Sequence, residues 1–250
     1  MARISERSVH RQSQVTSHGA GQVVILEAAG PLSDAVEDLD RATRLALAAE
    51  PRAVVCDLSR VVAPRTPGAL RGLATTGRHP RDWPGVPVAV AGLAPHAGER
   101  LSRLPLGYHL VVSDSMSHAL SCVLRAVCPT IRRQRLSPRR AAPSVARDFT
   151  GQTLCDWRLD HLNPVATLVV SELVSNAVTH ARTDVVLSLA EHLGRLRLAV
   201  ADTNPELPVP PGHGQTRGGG MMIVADHAKA WGVLPAQGGK VVWAVVGGLP

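Results

Sequence analysis

Glu172, Asn176 and His180 recur at every fourth residue in a run that opens at Asn163-Pro164. On an α-helix they form one stripe beside the apolar stripe of Val170, Leu173, Val174, Ala177 and Ala181. A carboxylate and an amide beside so apolar a face are costly to bury without partners. Downstream, an apolar run, Leu196 to Ala201, ends in Asp202, just before Asn204-Pro205. Then comes Gly218-Gly219-Gly220-Met221, which opens another helical run. Glycines there let the backbone approach a ligand closely, and the free N–H groups and dipole of a helix start favour an anionic phosphate. Taken singly, each feature has a plainer reading: a solvated helix face, or a helix that begins after a flexible loop.

The elements that must position these residues follow from periodicity and punctuation. Residues 1–20 are polar and aperiodic and read as a mobile tail. Strands are expected at Val23 to Glu27, Ala53 to Leu58, Val88 to Ala91 and His109 to Val112. Helices alternate with them: one starting at Asp34 and Glu37 and stopped by Pro51, one following a turn marked by Pro64, Pro67 and Gly68 and running to about Thr76, a short one holding Leu101 and Leu104, and one capped by Asp114. Alternation of this kind indicates an α/β domain with an at least partly parallel sheet over 21–127. Residues 128–143 hold three prolines among many arginines, the composition of a linker. The second unit, 144–250, reads as a helix from Val145 to Trp157, the Asn163-Pro164 helix, strands at Val185 to Ala190 and Leu196 to Ala201, a Pro/Gly loop, the glycine-opened helix, and strands at Val233 and at Lys240 to Val246.

The bulk properties bound the function. The chain has 250 residues, 45% of them hydrophobic but only 2% aromatic, so the cores must rest on Ala, Val and Leu. Its net charge of +7 comes almost wholly from arginine, since Lys229 and Lys240 are the only lysines. No nucleic-acid signature accompanies that charge, and few aromatics are available for base stacking. The four cysteines lack the spacing of a zinc site. No apolar leader or membrane span is evident, so a soluble, cytoplasmic protein that binds neither nucleic acid nor membrane is the expectation.

The order of helix E-x-x-x-N, strand ending in Asp, glycine loop and helix, and final G-K-x-x-W strand resembles the ATP-binding fold shared by gyrase, histidine kinases and anti-sigma factor kinases. Ser171 to Ala181, Ala201 to Pro208, Gly218 to Met221, Trp231 to Val233 and Gly238 to Trp243 resemble the anti-sigma factor serine/threonine kinase branch. The resemblance covers about 110 residues. It implies a histidine-kinase-like ATPase α/β sandwich with ATP and Mg²⁺ as cofactors. Glu172 would be the catalytic base and Asn176 the Mg²⁺ ligand. Asp202 would accept the adenine amino group, Gly218, Gly220 and Met221 would adjoin the phosphates, and Pro205 to Arg217 would form a lid. Two departures stand out: Asn204 where the superfamily often has glycine, and Val241 where a threonine often lies near the adenine.

The first unit resembles a STAS domain, the fold of anti-sigma factor antagonists, on the segment Cys56 to Leu73. Asp57, Leu58, Ser59, Val61, Gly68 and Leu70 fit that family's pattern, but its D-S-S triplet is replaced by Arg65-Thr66-Pro67. The phosphoacceptor position falls on Pro67, which has no hydroxyl, with Thr66 as the nearest substitute. Together the resemblances imply α/β and α+β architecture and an ATP-dependent protein serine/threonine kinase that regulates transcription by partner switching. The partner would be a sigma factor, an anti-sigma factor antagonist or both, and two copies of the chain could pair. The alternative is a non-catalytic, protein-binding switch scaffold with a degenerate or structural nucleotide site.

Overall fold

The structure, a computed structural model, describes residues 14–20, 22–62, 67–79, 83, 85–181, 183–206 and 219–247. The chain is α/β and builds two five-stranded sheets. In the first sheet the strands lie in chain order: β1 (Gln14–Ala20), β2 (Val23–Pro31), β3 (Ala53–Val62), β4 (Val88–Ala91) and β5 (Val111–Ser113). β1 pairs antiparallel with β2, and the other neighbours are parallel. Helices α1 (Leu32–Ala48), α2 (Pro67–Thr75) and α3 (Pro95–Ser102) bury Leu39, Leu73 and Leu101 against one face. Helix α4 (Met116–Arg125) buries Ala119 and Val123 against the other. Alternate residues of β3 serve the two faces: Val54 and Cys56 the first, Ala53 and Val55 the second. Both faces of a parallel sheet are covered in this way, which is why its central strands are continuous apolar runs.

The second sheet has the order β6 (Thr130–Leu136), β7 (Val185–His192), β8 (Arg195–Asp202), β10 (Gly239–Gly247), β9 (Ala230–Ala236), every neighbouring pair antiparallel. Helices α5 (Ala142–Asp156), α6 (Asn163–Ala181) and α7 (Gly219–His227) cover one face, with Leu154, Leu173, Val174 and Val224 against Leu187, Leu198, Val200 and Ala244. Fully burying each such aliphatic side chain contributes about 1.5–3 kcal/mol. Leu193 and Gly194, both at positive φ, make the β7–β8 turn.

Three expectations need correction. Gln14–Ala20 is a strand, not a tail, and residues 1–13 lie outside the described residues. Thr130–Leu136 is an edge strand of the second sheet, not a linker, so the second unit begins at 130 and not at 144. Both segments are held by backbone pairing at a sheet edge and leave most side chains in solvent, so neither shows apolar alternation. The arginines of β6 meet carboxylates: Arg132 with Asp156, Arg133 with Glu50, Arg135 with Asp184. The third correction concerns α4, which is capped by Ser115, whose hydroxyl accepts from the His118 N–H, and not by Asp114.

The other face of the second sheet is covered by the first unit. Ala199, Leu234, Val241, Trp243 and Val245 belong to the same buried cluster as α1 and the first sheet, and α1 lies against β9. Trp83 meets Trp243 edge to face, with ring centroids 5.6 Å apart, and the fully buried Arg197 guanidinium stacks 4.0 Å above the Trp83 ring. Glu50 stands at the centre of the charged contacts. Its carboxylate accepts from Arg197 Nη2 at 2.5 Å, Arg133 Nη2 at 2.6 Å and the Ser188 hydroxyl at 2.8 Å. Glu50 follows α1 with φ of 51°, a left-handed position after a helix end that favours glycine. A side chain is kept there, and its carboxylate is what the three strands β6, β7 and β8 grip.

Candidate functional site

The candidate site lies around α6, on the helix-covered face of the second sheet. α6 starts at Asn163-Pro164, and Val170, Leu173, Val174 and Ala177 of its apolar stripe are buried among the sheet residues. Glu172 and Asn176 are half-buried on the neighbouring stripe, and His180 is exposed. Successive members of that stripe rise about 6 Å along the axis, so the three mark a line towards the C-terminal end of the helix.

The two ends of this line meet different elements. Near Glu172 stands the first turn of α7. A Cβ placed on Gly220 would sit 2.5 Å from Glu172 Oε2, so the absence of a side chain at 220 is what lets the helix start lie against the carboxylate. Met221 is 7% exposed and packs in the helix-side core. At the other end, β8 delivers Asp202. Asn204 Nδ2 reaches the His180 carbonyl at 3.4 Å, and the Thr183 and Thr203 hydroxyls are 2.7 Å apart, so the end of β8 is tied to the end of α6 twice.

Asp202 and Lys240 are directly opposed across β8 and β10. Their side chains are 0% and 4% exposed, and Lys240 Nζ donates to Asp202 Oδ1 at 2.9 Å. The same Oδ1 accepts from the Asn204 N–H at 2.8 Å, and Lys240 Nζ also donates to the Asn204 carbonyl at 2.7 Å. Asp202 Oδ2 is buried with no hydrogen-bond partner among the described residues. Gly239 allows this arrangement, because a Cβ there would collide with the Asp202 carbonyl.

The two departures noted in the sequence resolve differently. Asn204 uses its N–H, carbonyl, amide nitrogen and amide oxygen, the last accepting from the Glu206 N–H at 3.0 Å. A glycine could supply only the backbone half of that tether. Val241 belongs to the cluster against the first unit, whereas its neighbour Val242 belongs to the helix-side core, so a hydroxyl at 241 would not face Asp202. Gly218, Arg65, Thr66 and the lid segment from 207 to 217 lie outside the described residues. Among the described residues no group of three or more His, Cys, Asp or Glu could hold a metal ion, and no helix is long and apolar enough to cross a membrane.

Sequence reasoning singled out Lys240 only as part of a motif and passed over Glu50, Arg197 and the Trp83–Trp243 pair. Arg197, a guanidinium inside the run Leu196 to Ala201, carried a signal: a charge in so apolar a strand must be paired. No family model and no curated protein matches this chain. Among solved structures, the crystal structure of an anti-sigma factor antagonist from Mycobacterium paratuberculosis is similar to it at 23% identity, covering 45% of this chain and 94% of that one, with a TM-score of 0.35. At that TM-score the likeness carries no argument about function.

Proposed function

We propose that the second unit is an ATP-binding module of the anti-sigma factor kinase type, acting in partner switching on a sigma factor, an antagonist protein or both. The observation that supports this reading is that α6 brings Glu172 to the glycine-opened start of α7, while its other end is tied through Asn204 to the end of β8, where Asp202 Oδ2 has no partner among the described residues. Those are the two chemistries a nucleotide needs: N–H groups at a helix start for phosphate, and a buried acceptor for a base amino group. Mg²⁺ would be held by the Asn176 amide oxygen together with phosphate oxygens, since Mg²⁺ takes few protein ligands at such sites. The bound cation would supply charge neutralisation at the transferring phosphoryl group. Glu172 would take the proton of an incoming serine hydroxyl.

Calorimetric titration of the whole chain with ATP, with and without Mg²⁺, tests this reading. Binding that depends on Mg²⁺ and is lost in Asp202→Ala is expected. Glu172→Ala should keep binding and lose phosphoryl transfer. Absence of binding by folded wild-type protein would sink the proposal. A second reading, a protein-binding scaffold without nucleotide, draws on the Asp202–Lys240 ion pair, half of whose carboxylate is satisfied without any ligand. In either reading the outer face of the second sheet is filled by the first unit, which leaves that face closed to a second copy of the chain.

A further inference from the structure

Lys240 is the second lysine of a chain otherwise charged by arginine, and its ammonium group is buried. It has two acceptors, Asp202 Oδ1 and the Asn204 carbonyl, and so fixes both the carboxylate and the first residues beyond β8. With Oδ1 occupied by Nζ and by the Asn204 N–H, only Oδ2 is left without a donor. A carboxylate oxygen accepts and cannot donate. We infer that Lys240 is the residue that sets base selectivity at this site: by occupying Oδ1 and tethering Asn204 it fixes which oxygen of Asp202 is left free, so the ligand must present a hydrogen-bond donor to Oδ2. The inference rests on the nucleotide reading above and deepens it.

The chemistry is one of matched groups. A 6-amino purine donates to Oδ2. A 6-oxo purine would set a carbonyl oxygen against a carboxylate oxygen, two acceptors with no hydrogen between them, and a buried polar group left facing its own kind is strongly rejected. Without Nζ, Oδ1 keeps only the Asn204 N–H and the Asn204 carbonyl loses its tether, so the carboxylate is free to turn and Oδ2 is no longer held towards the base. Lys240 acts through Asp202 and is thus a positioning residue.

The test titrates the whole chain with Mg-ATP and with Mg-GTP for the wild type, Lys240→Met, Lys240→Arg and Asp202→Asn, with near-ultraviolet circular dichroism as the check on folding. The wild type should prefer ATP by about 100-fold or more. Lys240→Met should narrow that preference to less than about tenfold, chiefly by weakening ATP. Lys240→Arg, which keeps the charge and the donors, should retain it. Asp202→Asn, which offers an N–H to a 6-carbonyl, should reverse the order. An unchanged ATP preference in folded Lys240→Met overturns the inference while leaving the nucleotide site standing. A wild type that binds neither nucleotide overturns both. Should Lys240→Met fail to fold, Lys240→Gln supplies the same comparison: a preference as large as that of the wild type there also overturns the assignment.

Discussion

Glu50→Ala is the substitution with the largest consequence for the joined fold. The side chain is 8% exposed, and the Arg197 side chain it meets is 0% exposed. Removing the carboxylate strands a guanidinium whose Nε and Nη1 already have no partner among the described residues. Breaking a buried ion pair from one side costs roughly 3–5 kcal/mol. Relief of the left-handed strain will not offset this, since alanine is no more at ease there than glutamate. The expected loss is thus a sizeable share of a total stability of about 5–15 kcal/mol. Urea unfolding followed by tryptophan fluorescence measures it. Glu50→Ala with Arg197→Met should recover most of the loss, because an apolar replacement of both partners removes the stranded charge. The pH dependence has a definite sign. Burial pushes the Glu50 carboxyl up, but Arg197, the Ser188 hydroxyl and Arg133 outweigh it and hold it below its ordinary value of 4.5. The contribution is therefore present in full above 4.5 and is lost as pH falls through the lower folded value. Glu50→Ala should flatten that part of the acid limb. A loss under about 1 kcal/mol, or a double variant as unstable as the sum of the singles, would refute the reasoning.

Two further outcomes are expected at other positions. The Cys56 thiol is buried and pushed up to about 12 by desolvation, with a weak contact to Thr43 opposing, so a thiol reagent at pH 8 should label exposed Cys128 and Cys155 and reach Cys56 only in denaturant; labelling of Cys56 in the native protein would contradict this. Gly220→Ala should change the unfolding midpoint little, since the atom it meets is the free end of a glutamate side chain, yet it should displace the Glu172 carboxylate and cut phosphoryl transfer by about 100-fold or more. Wild-type turnover by that variant would remove Glu172 from the chemistry.

What the sequence disclosed depended on which force holds each segment. β4 and the Asn163-Pro164 helix are fixed by apolar burial, and both were legible from residue type alone. β1 and β6 are fixed by backbone pairing at sheet edges, a bond every residue can make, and so left no trace in the side chains. β10 is buried along nearly its whole length, the mark of a strand covered on both sides, but the sequence does not say what supplies the second cover. That information sits in Glu50, placed after a helix end where glycine would be easier, and in Trp83, more than a hundred residues from its partner Trp243. Asp202, Glu172 and Gly220 stood out as candidates only through the order of their motifs, since each taken singly has a plainer reading. The contact of Lys240 with Asp202 did not stand out, because it depends on a cross-strand register.

The Trp83–Trp243 contact has a practical consequence. Two of the four tryptophans in the chain stand at the seam between the two sheets, one of them beneath a guanidinium. The molecule thus carries its own optical gauge of whether its halves are together. Parting the seam exchanges a dry, cation-stacked indole pair for two hydrated ones, and the emission should move to the red without any attached label. The same gauge reads out in the presence of a partner protein, so a regulator that works by prising the first unit away announces itself in the fluorescence of the chain it acts on.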